Sequence, residues 1–396
     1  MTAAGDTWAI IAGGGTAGHV LPGLAIAREI ADRGVEARAV HYVGSERGIE
    51  RRLVPEAGFG LTVLPGRGIQ RRLTPANIAA VAGLLRALAQ GFRLVRRHRP
   101  AVVVGLGGYA SVPVAVAAVV LRVPLVLAEQ NAVPGAANRL LGRWARAAAV
   151  SFRGTDLPRA EWTGNPVRAE VLAVDRPTQR EAARARLGVE ADRKLVTVFG
   201  GSLGSRRINR AVLAALAVWR DRDDLHVRHV TGSRDHAELA PRVPIDDLDL
   251  LSYDLIEYDD DMPTVYAASD LVVCRSGATS VAELAAVGVP AVLVPLPTAP
   301  GDHQSANARS LEEVGAAVVV ADAELDARRL VAEVDSRLAD EDRLATMGAS
   351  TASVARRDAA EAVVDLMITH ARRPLPAPGP SARARRAGRR AGGGPT

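Results

Sequence analysis

Two stretches share one pattern: Trp8-Ala9-Ile10-Ile11-Ala12-Gly13-Gly14-Gly15-Thr16-Ala17-Gly18-His19 and Leu195-Val196-Thr197-Val198-Phe199-Gly200-Gly201-Ser202-Leu203-Gly204. Each is a short, mostly apolar run followed by a glycine-rich turn and then an amphipathic segment. The first segment runs through Leu21, Leu24 and Ala25 towards Gly34, and the second starts at about Arg206. An apolar run ending in glycine reads as a strand buried on both faces, and the spacing of three to four that follows reads as a helix packed on the sheet. Further apolar runs at 101–104, 125–128, 271–274 and 291–294 alternate with helical segments. That alternation predicts doubly wound parallel sheets, and two glycine-turn starts 187 residues apart predict two of them. A ligand is then expected in a cleft between the carboxyl ends of the two sheets.

Composition agrees with this class. The 396 residues suffice for two domains with separate cores, and 48% hydrophobic residues with only 3% aromatics mean cores of Ala, Val, Leu and Ile. An aromatic-rich sugar-stacking module is excluded. The formal charge of +6 is concentrated in residues 371–396, which hold seven arginines and no acid; without them the rest of the chain is at −1. The charge is therefore no nucleic-acid signal, and this Pro-, Gly- and Ala-rich tail is expected to lack a core. The single cysteine, Cys274, follows Leu271-Val272-Val273 and is expected in a buried strand, with no disulfide or Cys-based metal cage, as suits a reducing cytosol. No basic segment and apolar core of an export signal stand at the N-terminus. The longest apolar stretch, 101–128, is interrupted by Gly105, Gly107, Gly108, Pro113, Arg122 and Pro124, so it reads as strand, loop, helix and strand rather than as a membrane span.

The chemistry gathers at the turns. Gly13, Gly15 and Gly18 have the spacing that lets backbone N–H groups approach a phosphate. A nicotinamide enzyme would want an acid ending the second strand, but His41-Tyr42-Val43-Gly44-Ser45 has Glu46 only nearby. His19 begins the helix after the first turn, where a neutral imidazole can take a proton from a hydroxyl. Ser276-Gly277-Ala278-Thr279-Ser280-Val281-Ala282-Glu283 opens a helix ending at Gly288, whose N-terminus can hold a diphosphate without a metal ion; Glu283, read as an exposed helix acid, can accept from ribose hydroxyls. Asp259-Asp260-Asp261 precedes Met262-Pro263 and is read as a helix cap rather than a metal site. In the segment 66–100, Arg67, Arg71, Arg72, Arg86, Arg93, Arg96, Arg97 and Arg99 accompany Ile69 and Leu73, with Ile78, Val81, Leu85, Leu88 and Phe92 spaced as one helix face from about Pro75. Part of that face must pack on the sheet, and the rest, beside the arginines, suits an anionic membrane surface.

With these residues placed, the chain resembles the MurG family of cell-wall glycosyltransferases. The resemblance rests on Gly14-Gly15-Thr16-Ala17-Gly18-His19, Gly105-Leu106-Gly107-Gly108-Tyr109-Ala110-Ser111, Glu129-Gln130-Asn131, Gly164-Asn165-Pro166-Val167-Arg168, Gly200-Gly201-Ser202-Leu203-Gly204, Cys274-Arg275-Ser276-Gly277-Ala278, and Gln304 with Asn307-Ala308, in family order through about residues 8–365. It implies the GT-B fold, two Rossmann-like domains. Residues 1–166 would form an acceptor and membrane-facing domain and 167–370 a UDP-N-acetylglucosamine-binding domain, its last helix left open to cross back, before the tail. It implies transfer of N-acetylglucosamine from UDP to the C4 hydroxyl of undecaprenyl-diphospho-N-acetylmuramoyl-pentapeptide, without a metal cofactor, at the cytoplasmic face of the membrane. Donor contacts would come from Thr16, Ala17, Gly18, Asn131, Arg168, Ser202, Asp259, Ala278, Thr279, Ser280, Val281, Ala282, Glu283 and Gln304. Gly107, Gly108, Tyr109 and Glu129 would line the acceptor side. His19 is the first candidate for the base and Glu129 the second. Three positions depart from the family pattern: Ala17 for a common glycine, Asp259 for an isoleucine whose backbone meets uracil, and Ser305 for a second glutamine. The alternatives are another GT-B UDP-sugar transferase, a UDP-sugar epimerase, which would not need the basic apolar segment, and a non-catalytic UDP-sugar-binding protein, which would not need a base.

Overall fold

The apolar runs become parallel strands because they are covered on both faces, where unbroken Val, Ile, Leu and Ala are stable and alternating polar residues are not. A computed structural model describes residues 7–46, 48–65, 76–246 and 248–377, apart from the side chains of 76–82. In chain order, β1 (Ala9–Ala12), α1 (Ala17–Asp32), β2 (Val40–Ser45), α2 (Glu50–Glu56), β3 (Gly60–Leu64), α3 (Ala76–His98), β4 (Val102–Gly105), α4 (Ser111–Val120), β5 (Leu125–Glu129), α5 (Ala136–Leu141), β6 (Ala147–Val150) and β7 (Ala160–Trp162) build a first sheet. Its strands are all parallel and lie in the order β3-β2-β1-β4-β5-β6-β7. The chain continues through α6 (Ala169–Leu172), α7 (Arg176–Leu187), β8 (Lys194–Phe199), α8 (Arg206–Trp219), β9 (Leu225–Val230), α9 (His236–Leu239), β10 (Ser252–Ile256), α10 (Met262–Ala268), β11 (Leu271–Cys274), α11 (Ala278–Val287), β12 (Ala291–Leu293), α12 (His303–Glu312), β13 (Ala317–Val319), α13 (Ala327–Leu338), α14 (Glu341–Ser350) and α15 (Ala359–His370). The second sheet, again parallel, has the order β10-β9-β8-β11-β12-β13. Cys274 is buried in β11, as its apolar neighbours predict.

The chain divides into two compact units: the described residues up to Arg168 together with those from Asp358, and Ala169–Arg357. The last helix therefore crosses back to the first unit, the course left open for it, instead of closing a second domain that runs to residue 370. Helix α15 belongs to the first unit, because its apolar face, Val363, Val364, Leu366 and Met367, completes a core with Trp8, Ile30, Val104 and Val126. The Arg33 guanidinium meets Asp365 at 2.5 Å.

The expected coreless tail is corrected at its beginning. Arg372 N–H donates to the Ala101 carbonyl (3.0 Å), Arg373 Nη2 donates to the Thr7 and Arg99 carbonyls (both 3.0 Å), and Trp8 Nε1 donates to the Arg373 carbonyl (3.2 Å). Leu375 packs on the same core. Residues 378–396 lie outside the described residues.

Helix α3 packs differently from its expected face. Its buried residues are Ala87, Gly91, Leu94 and Val95, and the helix lies against α4 so closely that a Cβ at Gly91 would sit 2.7 Å from the Pro113 carbonyl oxygen. Leu88 and Phe92 flank this contact half-buried, while Leu85 stands 63% exposed among exposed Arg86, Arg93, Arg96 and Arg97. Glycine at position 91 lets the two helices approach there, while Leu94 and Val95 fill the core beside it. Arg67, Ile69, Arg71, Arg72, Leu73 and Pro75, and the side chains of Ile78 and Val81, lie outside the described residues.

Candidate active site

Strand order reverses beside the first strand of each sheet. The chain runs outward from β1 to β2 and β3 and then returns to the other side of β1 with β4; β8 and β11 repeat this. Loops leave the two central strands in opposite directions, opening a crevice at their carboxyl ends, where open α/β sheets bind ligands. The sequence-predicted residues map onto these two edges. In the first unit Thr16, Ala17, Gly18 and His19 follow β1, Gly107, Gly108 and Tyr109 follow β4, and Glu129 and Asn131 end and follow β5. In the second unit Ser202 follows β8, Asp259 follows β10, residues 278–283 open α11, and Gln304 lies in α12. Arg168, expected with the second domain, is half-buried at the last position of the first unit's main segment.

In the first unit, extended Thr16 stands before α1 and its carbonyl accepts from the His19 and Val20 amides, both at 3.1 Å. His19 thus occupies the first helical turn, its Nδ1 3.4 Å from Thr16 Oγ1. In the tautomer whose Nδ1–H donates to that hydroxyl, the imidazole lone pair would be on Nε2. Gly107 (φ +90°) brings bare backbone to this ring: a Cβ there would lie 3.5 Å from His19 Nε2 and 3.4 Å from Asn138 Nδ2. The positive φ is what favours glycine here, since both distances are ordinary van der Waals contacts. Tyr109 donates its hydroxyl to the Pro65 carbonyl at 3.2 Å, and burial, with Glu46 nearby, pushes its phenol up.

Two carboxylates brace this edge. Glu129 is buried, and its Oε1 accepts from Asn131 N–H (3.0 Å) and Nδ2 (3.3 Å), its Oε2 from Gly135 N–H (3.0 Å) and Asn138 Nδ2 (2.9 Å). These contacts let Glu129 orient Asn131 and, from the end of β5, Asn138 in α5. Glu50, which the sequence reading missed, is fully buried and accepts the Gly15 amide. That amide therefore faces inward, away from any phosphate. The available signal was the pair of glycines, Gly44 and Gly48, shortly before this acid.

The second unit has an open helix start. Gly277 precedes α11 in extended conformation and offers no capping side chain; the first helical bond joins the Val281 amide to the Gly277 carbonyl at 3.0 Å. The amides of Ala278, Thr279 and Ser280 therefore precede the ladder, and Thr279 Oγ1 is buried without a hydrogen-bond partner. Val281 and Ala282 contribute no such amide, and the Val281 side chain is buried in the core. Helix α8, by contrast, is closed by Ser205, whose Oγ accepts from the Ile208 amide (3.5 Å) and from Arg275 Nη2 (2.7 Å). Arg275 also binds Asp322 (2.7 Å) and the Val294 and Pro295 carbonyls (both 3.0 Å), tying three loops together. Ser202 is exposed on the glycine turn. Gln304 Oε1 accepts from the Leu296 amide (3.0 Å).

Two expectations change here. Glu283 is buried at 4% exposure rather than exposed, because α11 packs on α10 and Tyr266 donates its hydroxyl to Glu283 Oε2 at 3.0 Å. The Asp259 side chain, without an explanation in the sequence, is ion-paired with Arg228 (2.8 Å) and accepts the Asp261 amide (3.0 Å). Asp261 caps α10 through the Thr264 amide (3.4 Å) and hydroxyl (2.8 Å), the role expected of this acidic run.

Burial makes Glu283→Ala a stability variant as well as a site variant: it removes the acceptor of the Tyr266 hydroxyl bond and a buried side chain, and should cost about 2–3 kcal/mol in urea unfolding. Glu283→Gln keeps an acceptor for Tyr266, so its UDP affinity, measured by calorimetry, isolates the ribose contact and should fall about tenfold. An unchanged affinity rules that contact out. His229 supports the glycine turn from below: it contacts Tyr253 Oη (2.9 Å) and Asn209 Oδ1 (3.1 Å), and Asn209 Nδ2 donates to the Thr231 carbonyl (3.0 Å), against which a Cβ at Gly204 would lie 1.9 Å away. Burial holds His229 down at about 3, so it is neutral in the fold while the unfolded chain protonates it near 6.5. Its stability contribution is full above pH 6.5 and is lost as pH falls towards 3, by up to about 1.4 kcal/mol per pH unit. Urea midpoints between pH 7.5 and 4.5 should therefore fall less in His229→Gln than in the wild type; parallel curves would contradict this.

The comparisons cover both units. Residues 9–150 match the glycosyltransferase family 28 N-terminal domain and residues 195–363 the glycosyltransferase family 28 C-terminal domain. A UDP-N-acetylglucosamine--N-acetylmuramyl-(pentapeptide) pyrophosphoryl-undecaprenol N-acetylglucosamine transferase from Nocardioides sp. is 42% identical over 361 residues, 91% of this chain and 97% of that protein. The protein of the same name from Halothermothrix orenii is 37% identical over 368 residues, 90% of this chain and 97% of that one. The crystal structure of Acinetobacter baumannii MurG matches with a TM-score of 0.71 at 28% identity, covering 91% of this chain and 99% of that one. With both glycosyltransferase domains present and these relatives matched over nearly their whole length, the chain belongs to the MurG family of glycosyltransferases.

Proposed function

We propose that this glycosyltransferase moves N-acetylglucosamine from UDP to the C4 hydroxyl of undecaprenyl-diphospho-N-acetylmuramoyl-pentapeptide, inverting C1 and forming the lipid-linked disaccharide of peptidoglycan. The names of relatives matched over about 90% of the chain support the substrate pair. The structural observation that carries the chemistry is the start of α11, where three amides and a buried Thr279 hydroxyl stand unpaired by protein. In the displacement the muramyl hydroxyl oxygen bonds to C1 while the C1–O bond to UDP breaks and its electron pair goes to the diphosphate. Helix amides and dipole stabilise that charge without a metal ion. His19 Nε2 takes the hydroxyl proton. Glu283 accepts from the ribose, Arg168, Ser202, Gln304, Asn131 and residues 16–18 complete the donor contacts, and Gly107, Gly108 and Tyr109 line the acceptor side.

The lipid acceptor requires a membrane surface, and we place the protein peripherally on the cytoplasmic face. Exposed Leu85, with Arg86, Arg93, Arg96 and Arg97 exposed on the same helix, supports contact with anionic lipid. Among the described residues no helix is long and apolar enough to cross a membrane.

Incubation with UDP-N-acetylglucosamine and a lipid-linked muramyl peptide should give disaccharide at the same rate with excess chelator. Loss of product in chelator, restored by magnesium, would contradict metal-independent transfer. His19→Ala should lower kcat by about 10² to 10⁴ with little change in donor KM, and should remove the acid limb of the kcat–pH profile. An unchanged acid limb would assign proton removal elsewhere.

A further inference from the structure

The most elaborate polar arrangement outside the proposed donor and acceptor contacts surrounds Glu50, the first residue of α2. Its Oε1 accepts from Ser45 N–H (2.6 Å), Ser45 Oγ (2.9 Å) and Gly15 N–H (3.2 Å), and its Oε2 lies 3.0 Å from the same Gly15 nitrogen. Three glycines from three segments make room for it. A Cβ at Gly14 would lie 2.1 Å from Oε1, one at Gly44 2.4 Å from Cγ, and one at Gly48 1.8 Å from Oε2. No side chain could stand at any of these positions while the carboxylate keeps its place. Gly15 has φ +98°, and the next residue, Thr16, begins the turn whose carbonyl carries the His19 amide. The link from Glu50 to the proposed base is therefore short: carboxylate, Gly15 amide, Thr16, first turn of α1, His19.

We propose that Glu50 is a positioning residue for transfer: it fixes the turn after β1 from beneath, so that His19 Nε2 is held where the acceptor hydroxyl arrives. The inference rests on the assignment of His19 as the base. A buried side chain that satisfies two backbone amides and a hydroxyl constrains the loop more tightly than packing alone, because releasing it strands those donors. A displacement of about 1 Å at a reacting group can cost about 10²-fold in rate.

The test uses the full chain with UDP-N-acetylglucosamine and a soluble acceptor analogue, comparing Glu50→Ala, Glu50→Gln, His19→Ala and the two double variants. Glu50→Ala should lower kcat about 10- to 100-fold with donor KM and calorimetric UDP affinity within about threefold of the wild type. Glu50→Gln, which keeps one acceptor oxygen, should lose less. Since Glu50 acts through His19, each double variant should be no slower than His19→Ala alone, within about twofold. If Glu50→Ala does not fold, Glu50→Gln and its double variant carry the same cycle. A Glu50→Gln kcat equal to the wild type, or double variants whose losses multiply, would overturn the positioning role while leaving His19 as the base. A wild-type kcat in His19→Ala would overturn the base assignment and this inference with it.

Discussion

A parallel strand cannot follow its neighbour through a hairpin, so every strand here must be succeeded by a crossover that covers a face of its sheet. Much else in the molecule depends on that constraint. Both faces of each sheet are covered, which is why the strands are unbroken apolar runs and why a chain with 3% aromatic residues can still fill its cores. The crossovers also send every strand-to-helix turn to the carboxyl edge. Where the order reverses, at β1 and β4 and again at β8 and β11, two such turns part and leave an opening. The candidate site residues lie at those edges, while much of the remaining backbone is used in ladders and helices.

The turns themselves have little apolar surface to hold them, and the two units brace them with opposite chemistry. In the first unit carboxylates do so: Glu50 accepts amides of the turn after β1 and of β2, and Glu129 accepts amides and carboxamides of the turn after β5. In the second unit a guanidinium does so, with Arg275 donating to carbonyls after β12 and to Ser205 at the start of α8. The consequence is a division of labour. An acid inside the first glycine turn turns an amide away from any bound anion, while in the second unit α11 has no acid in its first turn and no side-chain cap. The proposed proton transfer in the first unit and diphosphate stabilisation in the second are consistent with where these carboxylates sit.

The packing of α3 makes a related point about surfaces. A close approach at Gly91 uses small residues to bury the helix, and that leaves a large apolar side chain, Leu85, beside arginines on the outside. An exposed large apolar side chain such as Leu85 can meet something other than the helix's own core.

The sequence alone was enough for the elements that depend on local pattern. Continuous apolar runs marked the strands, the glycine turns marked both sheet starts, Asp261 before Met262-Pro263 marked a helix cap, and the run before Cys274 marked its burial. These follow from the intrinsic geometry of strands and helix ends, which a few neighbouring residues suffice to express. The inward direction of Glu129, the burial of Glu283 against Tyr266, the use of Glu50 by Gly15 and the docking of Arg373 on Thr7 came only from the fold. Each joins residues from different elements, the last pair 366 positions apart. Whether an acid faces solvent, a ligand or a buried amide depends on which segment folding brings opposite it, and no local pattern records that.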